Sequence, residues 1–186
     1  MNEKLVFAEN THLETARLLL RPMVMADAEA MYVYAGDEEV TRYLSFPEHQ
    51  SLENTKIVIA NHFMANPLGK YVIEHKENHQ MIGMMGLRTQ INSGTGEIWY
   101  ALNKAYWGQG LVPEAATCLL ELGFEKLQLI RIFATHDLRN PKSGRVMEKI
   151  GMTHESTVYQ AMKSKGEIVD LMTYGITKQA WQEQQK

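Results

Sequence analysis

The chain has 186 residues, a formal net charge of −3, 45% hydrophobic residues and 22% charged residues. These values are ordinary for a globular domain and give no electrostatic basis for strong nucleic-acid binding. No apolar run reaches 18 residues, so no membrane partner is expected, and the absence of a basic region before a clean apolar stretch predicts no signal peptide. The single Cys118 cannot form an internal disulfide, which favours a cytoplasmic protein.

Hydrophobic spacing and turn residues predict the elements in chain order. Predicted strands cover 17–23, 71–75, 81–91, 97–102 and 130–135, followed by a closing hairpin of 158–159 with 167–176. Predicted helices cover 26–34, 52–64, 113–127, 141–150 and 178–184. No linker, repeat or low-complexity tract is present, so 1–186 is expected to be a single domain with a core of about 12–178 and a short tail of 179–186.

This order of elements predicts an α/β (α+β) chain with a mixed, mostly antiparallel sheet flanked by helices. A regular alternation of strand and helix is missing, which disfavours a doubly wound nucleotide fold. No metal site is expected. His75 and His79 flank the predicted hairpin turn and therefore do not share a helical face.

A glycine-containing loop leads from the strand 97–102 into the strongest predicted helix. Gly108 and Gly110 permit a tight turn and a close approach of a ligand to the backbone, and Pro113 suits the first helical position. No Ser, Thr, Asp or Asn stands just before Pro113, so the first N–H groups of the helix need another partner, such as a phosphate. A plain turn capped by water is the alternative. The P-loop and Rossmann patterns are excluded because their Lys-Ser/Thr ending and third Gly are missing.

A second cluster covers 140–152. Asn140 before Pro141 is a good helix cap and Gly151 is a good helix stop, so a structural role explains both ends. Ser143, in the first turn of this helix, is needed for neither end.

The two clusters together resemble a known family. Tyr106-Trp107-Gly108-x-Gly110-x-x-x-Glu114-Ala115, then Asn140-Pro141-x-Ser143 and Glu148-Lys149-x-Gly151-Met152, are similar to the GNAT acyltransferase superfamily. Within it, Arg17-Leu18-Leu19-Leu20-Arg21-Pro22 and Val40-Thr41-Arg42-Tyr43-Leu44 resemble the RimJ/RimL branch of ribosomal-protein N-terminal acetyltransferases. The resemblance implies a GNAT-like sheet splayed between the fourth and fifth strands, and transfer of an acetyl group from acetyl-CoA to a primary amine.

The resemblance also implies which residues bind the coenzyme. The backbone amides of the loop would bind the pyrophosphate of CoA: Trp107, Gly108, Gln109, Gly110, Leu111 and Val112. The splayed strand would bind the pantetheine arm through Trp99, Tyr100, Ala101 and Leu102. Asn140 would also contact the arm, and Lys142 would pair with a phosphate or remain solvated.

Catalysis requires a neutral amine, so a general base is expected. Glu97, at the start of the strand, is the candidate base, with an exposed strand-end carboxylate as the alternative. By resemblance, Ser143 is the candidate acid, because Met147 stands where many members carry a tyrosine and cannot donate a proton.

Met147 cannot donate a proton, and Val112 replaces the family's usual small residue. These two departures leave a non-catalytic acyl-CoA-binding module as an alternative function. The acceptor is a peptide N-terminal amine or a small amine such as a polyamine or antibiotic. The assembly is a monomer or homodimer.

Overall fold

The computed structural model describes residues 2–185, in which eight strands form one sheet with helices packed on both faces. The strands are β1 (Leu13–Glu14), β2 (Leu18–Arg21), β3 (Lys70–His75), β4 (Gln80–Gln90), β5 (Thr95–Leu102), β6 (Arg131–Asp137), β7 (Thr153–Ser164) and β8 (Glu167–Thr177). The helices are α1 (Glu3–Glu9), α2 (Ala28–Ala35), α3 (Glu38–Thr41), α4 (Leu52–Val58), α5 (Leu111–Glu121), α6 (Pro141–Lys149) and α7 (Lys178–Glu183). Two π-helical segments, Ile59–Met64 and Leu122–Lys126, extend α4 and α5.

The spatial order of the strands is β1-β2-β3-β4-β5-β6-β8-β7. Neighbouring strands are antiparallel except β5 and β6, which are parallel and pair only from Thr95–Arg131 to Glu97–Phe133. Beyond Glu97 the two strands separate, although β5 continues to Leu102 and β6 to Asp137. The predicted mixed sheet and its splay are therefore confirmed.

The sheet separates two apolar clusters. Side chains of β5 alternate between them: Ile98 and Leu102 pack with α5, whereas Ala101 packs with α2 and the π-helical segment after α4. Trp99 packs against this second cluster from the edge. Because of this alternation, the part of β5 beyond Glu97 presents side chains to both faces at the splay.

The observed bounds differ from the predicted ones at several elements. The helix predicted to start at Pro113 starts at Leu111, because Gly110 takes a left-handed conformation (φ 76°) and serves as the N-cap. The strand predicted at 158–159 is the 12-residue β7. Outside the predicted core of about 12–178, α1 places Phe7 in the cluster around α5, and Trp181 of α7 packs against the same cluster.

Candidate active site

One cavity of about 1670 Å³ opens at the splay and reaches both faces of the sheet. On the face covered by α5 and α6, which we call the α6 side, its wall includes Trp107, Gly110 and Ser143. On the opposite face, the α2 side, its wall includes Met31 and Phe63. The separation of β5 from β6 thus joins two half-sites that a continuous sheet would keep apart.

The N-terminus of α5 lies in the wall of the α6 side and has no side-chain cap. Gly108 and Gly110 both adopt positive φ, 77° and 76°, which turns the loop so that the helix begins at Leu111. Leu111 and Val112 are the first two residues of the helix, so their N–H groups have no intrahelical partners, and Pro113, the third, has no N–H. Their side chains are buried in the core, so it is the backbone that offers an anion seat.

An ion pair at the start of α5 fixes this loop. Glu114 accepts hydrogen bonds from Thr15 Oγ1 at 2.5 Å, Arg17 N at 2.9 Å and Arg17 Nε at 2.7 Å. The same Arg17 donates to the carbonyl of Gln109 at 3.1 Å. Burial acts to raise the pKa of Glu114, but the hydrogen bonds from Thr15 and Arg17 outweigh it and lower the pKa. The carboxylate therefore stays ionised and anchors the loop.

The helix α6 brings Ser143 to the splay. Asn140 caps the helix by accepting from Ser143 N at 3.4 Å, so its side chain has the structural role that its sequence context allows. Ser143 Oγ lies 2.8 Å from Tyr100 Oη, and Tyr100 also donates to the carbonyl of Ser143 at 3.1 Å. Burial raises the pKa of Tyr100 to about 12, against an opposing hydrogen bond from Ser143, so the phenol is protonated at neutral pH.

Most of the predicted coenzyme residues line the cavity. These are Trp99, Tyr100, Ala101, Leu102, Trp107, Gly108, Gly110, Leu111, Val112, Asn140, Lys142 and Ser143. Lys142 Nζ lies 4.5 Å from the centroid of the Trp107 ring, over its face, which places a cation beside the glycine loop. Gln109 does not belong to the wall; its side chain folds back to the carbonyl of Ala105 at 3.3 Å.

Glu97 occupies the last paired position before the splay and lines the cavity. Its carboxylate accepts from Arg88 Nη1 at 3.3 Å and from Thr135 Oγ1 at 3.4 Å, so β4, β5 and β6 all contribute to the group. Its side chain is 25% exposed, so the carboxylate is neither fully solvated nor sealed in the core. A carboxylate with this access can take a proton directly or through a water molecule.

Sequence reasoning assigned no role to three polar groups in the wall. The Tyr100 hydroxyl was not predicted, because only its backbone had a role by resemblance. Two buried histidines, His49 and His136, also line the cavity. His136 Nδ1 donates to the carbonyl of Asp137 at 2.7 Å, and its Nε2 is buried without a hydrogen-bond partner in the described part of the chain. No sequence motif marks these histidines; only their burial beside the cavity does.

Within residues 2–185, no group of three or more His, Cys, Asp or Glu side chains is arranged to hold a metal ion. Over the same residues, every helix is too short or too polar to cross a lipid bilayer.

A helix start without a side-chain cap, a splayed strand and a carboxylate meet in one cavity, an arrangement that suits a coenzyme-dependent acyltransferase. Residues 17–153 match the family model described as an acetyltransferase (GNAT) domain. The chain is 31% identical over 170 residues to the uncharacterized N-acetyltransferase YnaD of Bacillus subtilis, a match that covers 91% of this chain and 99% of YnaD. The chain belongs to the GNAT acetyltransferase family.

Solved structures agree with this assignment. An acetyltransferase of the GNAT family from Bacillus anthracis superposes with a TM-score of 0.82 at 27% identity, over 90% of this chain and 99% of that one. Two Vibrio cholerae proteins share the fold only. A spermidine N-acetyltransferase in complex with CoA and spermine has a TM-score of 0.75 at 18% identity, over 90% of this chain and 98% of that one. A candidate ribosomal-protein-serine acetyltransferase has a TM-score of 0.77 at 19% identity, over 90% and 98%.

Proposed function

We propose that this N-acetyltransferase moves the acetyl group of acetyl-CoA to a primary amine by direct attack, with a peptide N-terminal amine of the RimJ/RimL type as acceptor. The observation that carries the proposal is the uncapped start of α5 in a cavity that passes through the splay. A diphosphate satisfies the free N–H groups of Leu111 and Val112 and the positive end of the helix dipole. Acetyl-CoA supplies the activated acyl group as a thioester.

On the α6 side, the amides of 107–112 bind the pyrophosphate and Lys142 adds a positive charge. Beyond Glu97, β5 has no partner on its β6 edge, so its free N–H and C=O groups bind the amides of the pantetheine arm as an added strand does. Asn140 holds the start of α6, which keeps Ser143 beside that arm.

Two residues carry out the proton transfers of the reaction. Glu97 removes the proton that an alkylammonium must lose before its nitrogen can attack. Ser143 returns a proton to the departing thiolate, with Tyr100 orienting its hydroxyl. No covalent bond to the protein is needed, because the amine attacks the thioester directly.

A thiol-release assay with acetyl-CoA tests the proposal against N-terminal peptides, polyamines and aminoglycosides. We expect Glu97→Gln to lower kcat by about 10²-fold or more, the usual contribution of a general base, with CoA affinity unchanged by calorimetry. Ser143→Ala is expected to give a smaller fall, because a thiolate is a fair leaving group. An unchanged rate in Glu97→Gln removes Glu97 from the mechanism.

The two rivals give different results in the same assay. A non-catalytic module binds CoA and releases no thiol with any amine. If calorimetry finds no CoA binding at all, the acyl-transfer proposal fails as a whole. A small-amine enzyme releases thiol with polyamines or aminoglycosides in preference to peptides.

A further inference from the structure

The α2 side of the cavity is mainly apolar. Its wall is built from members of the cluster around α2, together with aromatic side chains that pack on it: Met31, Val40, Phe46, Phe63, Met84 and Trp99. Phe46 and Trp99 are half-buried and the other four are buried, so the wall is continuous with the core. Contact with an apolar part of a ligand is favourable at such a surface, whereas a charged group loses its hydration there and gains no polar partner.

The carboxylates around this wall already have partners. Ion pairs join Glu97 to Arg88 at 3.3 Å, Glu39 to Lys104 at 3.8 Å, and Asp137 and Glu167 to Arg139 at 2.7 and 2.8 Å. Glu48 accepts from Thr41 Oγ1 at 3.2 Å. Within the part of the chain that the structure describes, Glu38 is the one lining carboxylate without an ion pair or a hydrogen bond. Glu48 has an uncharged partner and keeps its charge as well, but these two carboxylates face three cations, Arg42, Lys70 and Lys165, that are equally without an ion pair in the described residues.

Basic side chains on the same wall are not neutralised. Lys70 donates to the carbonyl of His62, and Lys165 donates to the carbonyl of Thr41 at 2.6 Å, so both cations have uncharged partners. The exposed Arg42 also lines this side. A polycation entering here would meet like charges, which disfavour its binding.

His49 supplies a directional polar group in the wall. The ring is 6% exposed, and Nδ1 lies 2.9 Å from Thr55 Oγ1, which is also 3.3 Å from the carbonyl of Ser51. We assign the single Thr55 proton to that carbonyl, which can only accept; Thr55 then accepts from His49, so that the ring proton lies on Nδ1 and the lone pair on Nε2. Nε2 makes no hydrogen bond to any residue in 2–185. Burial lowers the pKa of His49, which keeps the ring neutral.

We infer that the acceptor is a monoamine with an apolar body of aromatic size, and that His49 Nε2 accepts a hydrogen bond from an N–H or O–H donor on that body. The inference rests on the proposed acetyl transfer and narrows its acceptor. A monoamine loses its only charge before it reacts, so its body meets the apolar wall uncharged. A polyamine would carry its remaining charges into a wall where the unpaired cations outnumber the unpaired carboxylates.

The test measures kcat/KM by thiol release from acetyl-CoA with five amines: tyramine, 2-phenylethylamine, the peptide Tyr-Ala-Ala-amide, putrescine and spermidine. We expect the three aromatic amines to exceed putrescine and spermidine by about tenfold or more. Tyramine is expected to exceed 2-phenylethylamine, which lacks the phenolic donor. The relative values for tyramine and the tyrosine peptide show whether the natural source of the amine is a small molecule or a peptide N-terminus.

His49→Phe keeps a ring of similar size and removes the acceptor nitrogen. We expect it to abolish the preference for tyramine over 2-phenylethylamine through the KM of tyramine, while His12→Phe, at an exposed position outside the cavity wall, leaves the preference intact. A preference for polyamines in the wild-type protein overturns the inference even if the variant does not fold. Equal use of tyramine and 2-phenylethylamine overturns the role of His49. Thiol release from no amine, with CoA still bound, instead refutes the proposed function.

Discussion

Tyr100 connects the splayed strand to the helix that carries the candidate acid. Its hydroxyl donates to the carbonyl of Ser143 and contacts Ser143 Oγ at 2.8 Å, although the two residues are 43 positions apart in the chain. The single proton of the phenol is shared between this carbonyl and the nearer Ser143 Oγ, so a Ser143 hydroxyl that accepts from Tyr100 keeps its own proton for the thiolate. Tyr100 is thus a positioning residue for Ser143.

Replacing Tyr100 with Phe is expected to lower kcat about tenfold, because the loss of one hydrogen bond of about 1–1.5 kcal/mol leaves the Ser143 hydroxyl unoriented. The KM for acetyl-CoA should change less than twofold. Steady-state kinetics on Tyr100→Phe, Ser143→Ala and the double variant measure the coupling.

The control is Tyr71→Phe, which loses a hydrogen bond to the carbonyl of Asn10 at 2.8 Å outside the main cavity. It is expected to leave kcat unchanged. If the double variant is slower than Ser143→Ala alone, Tyr100 does not act through Ser143.

For individual residues, the sequence predicted which of them lie in the cavity wall better than it predicted which side chains contact each other. Ser143 was predicted from the family resemblance, and it lies in the cavity wall. The hydrogen bond from Tyr100 could not be predicted, because it depends on the distance between β5 and α6. His49 was missed because its only local sign is a partner six residues away, Thr55, which is also an ordinary helical residue.

The loop and helix formed by 107–121 are the element on which the coenzyme site depends. Gly108 and Gly110 set the direction of the loop, and the hydrophobic face of α5 fixes the helix in the core through Ala115, Ala116 and Leu119. A Cβ atom at Gly108 would meet no other atom within 4 Å, so the space beside it is open. A bound diphosphate would occupy such space.

Gly108→Ala is therefore expected to weaken CoA binding by tenfold or more in calorimetric titration, since the methyl group and the shifted backbone obstruct the anion seat. The positive φ alone should lower the free energy of unfolding by about 1–2 kcal/mol. Gly166→Ala is a matched control: it has φ of 85°, open space around its Cβ and a place at the β7–β8 turn. It should lose similar stability and keep its CoA affinity. Equal losses of affinity in both variants would contradict the assignment of the loop.

Most elements were predictable because their hydrophobic periods are clear, as in the stripe of α5. The first and last residues of these elements were less predictable. The start at Leu111 depends on the left-handed conformation of Gly110, and sequence rules placed the start at Pro113 instead. The helix α1 was missed because its one core residue, Phe7, gives no periodic pattern.

On the scale of the whole molecule, the hydrogen bonds to Glu114 tie the start of the chain to its centre. They join residues 97 and 99 positions apart, and they hold the segment just before β2 against the start of α5. The splay was predictable from the resemblance, but the contacts of Glu114 were not, because this residue appeared only as one position of a motif. Its partners Thr15 and Arg17 carry no sequence sign of the contact.

Glu114→Gln is expected to lower the free energy of unfolding by about 2 kcal/mol, because the hydrogen bonds to a charged group are lost. For a chain of this size that corresponds to a fall in Tm of about 4–8 °C at pH 7. Differential scanning calorimetry measures it. Glu77→Gln, at an exposed turn position, is the control and should be neutral.

The pH dependence follows from the direction of the pKa shift. The folded-state pKa of Glu114 lies below the ordinary value of 4.5. Its contribution is therefore fully present above about pH 4.5 and is lost as the pH falls through the folded-state value. The wild-type and Glu114→Gln proteins should converge in Tm on acidification. A constant gap in Tm down to pH 3 would contradict the role of the carboxylate.

β5 and β6 pair at only three positions, and this short pairing affects amide hydrogen exchange in β5. Every second N–H of β5 after Glu97 points away from β4, at an edge where β6 has already diverged, so deuterium should replace these protons far faster than their neighbours in the same strand. A molecule that binds along this edge will slow the exchange of only these alternate N–H groups. The exchange rates of these β5 N–H groups therefore report ligand binding residue by residue, without any chemical turnover.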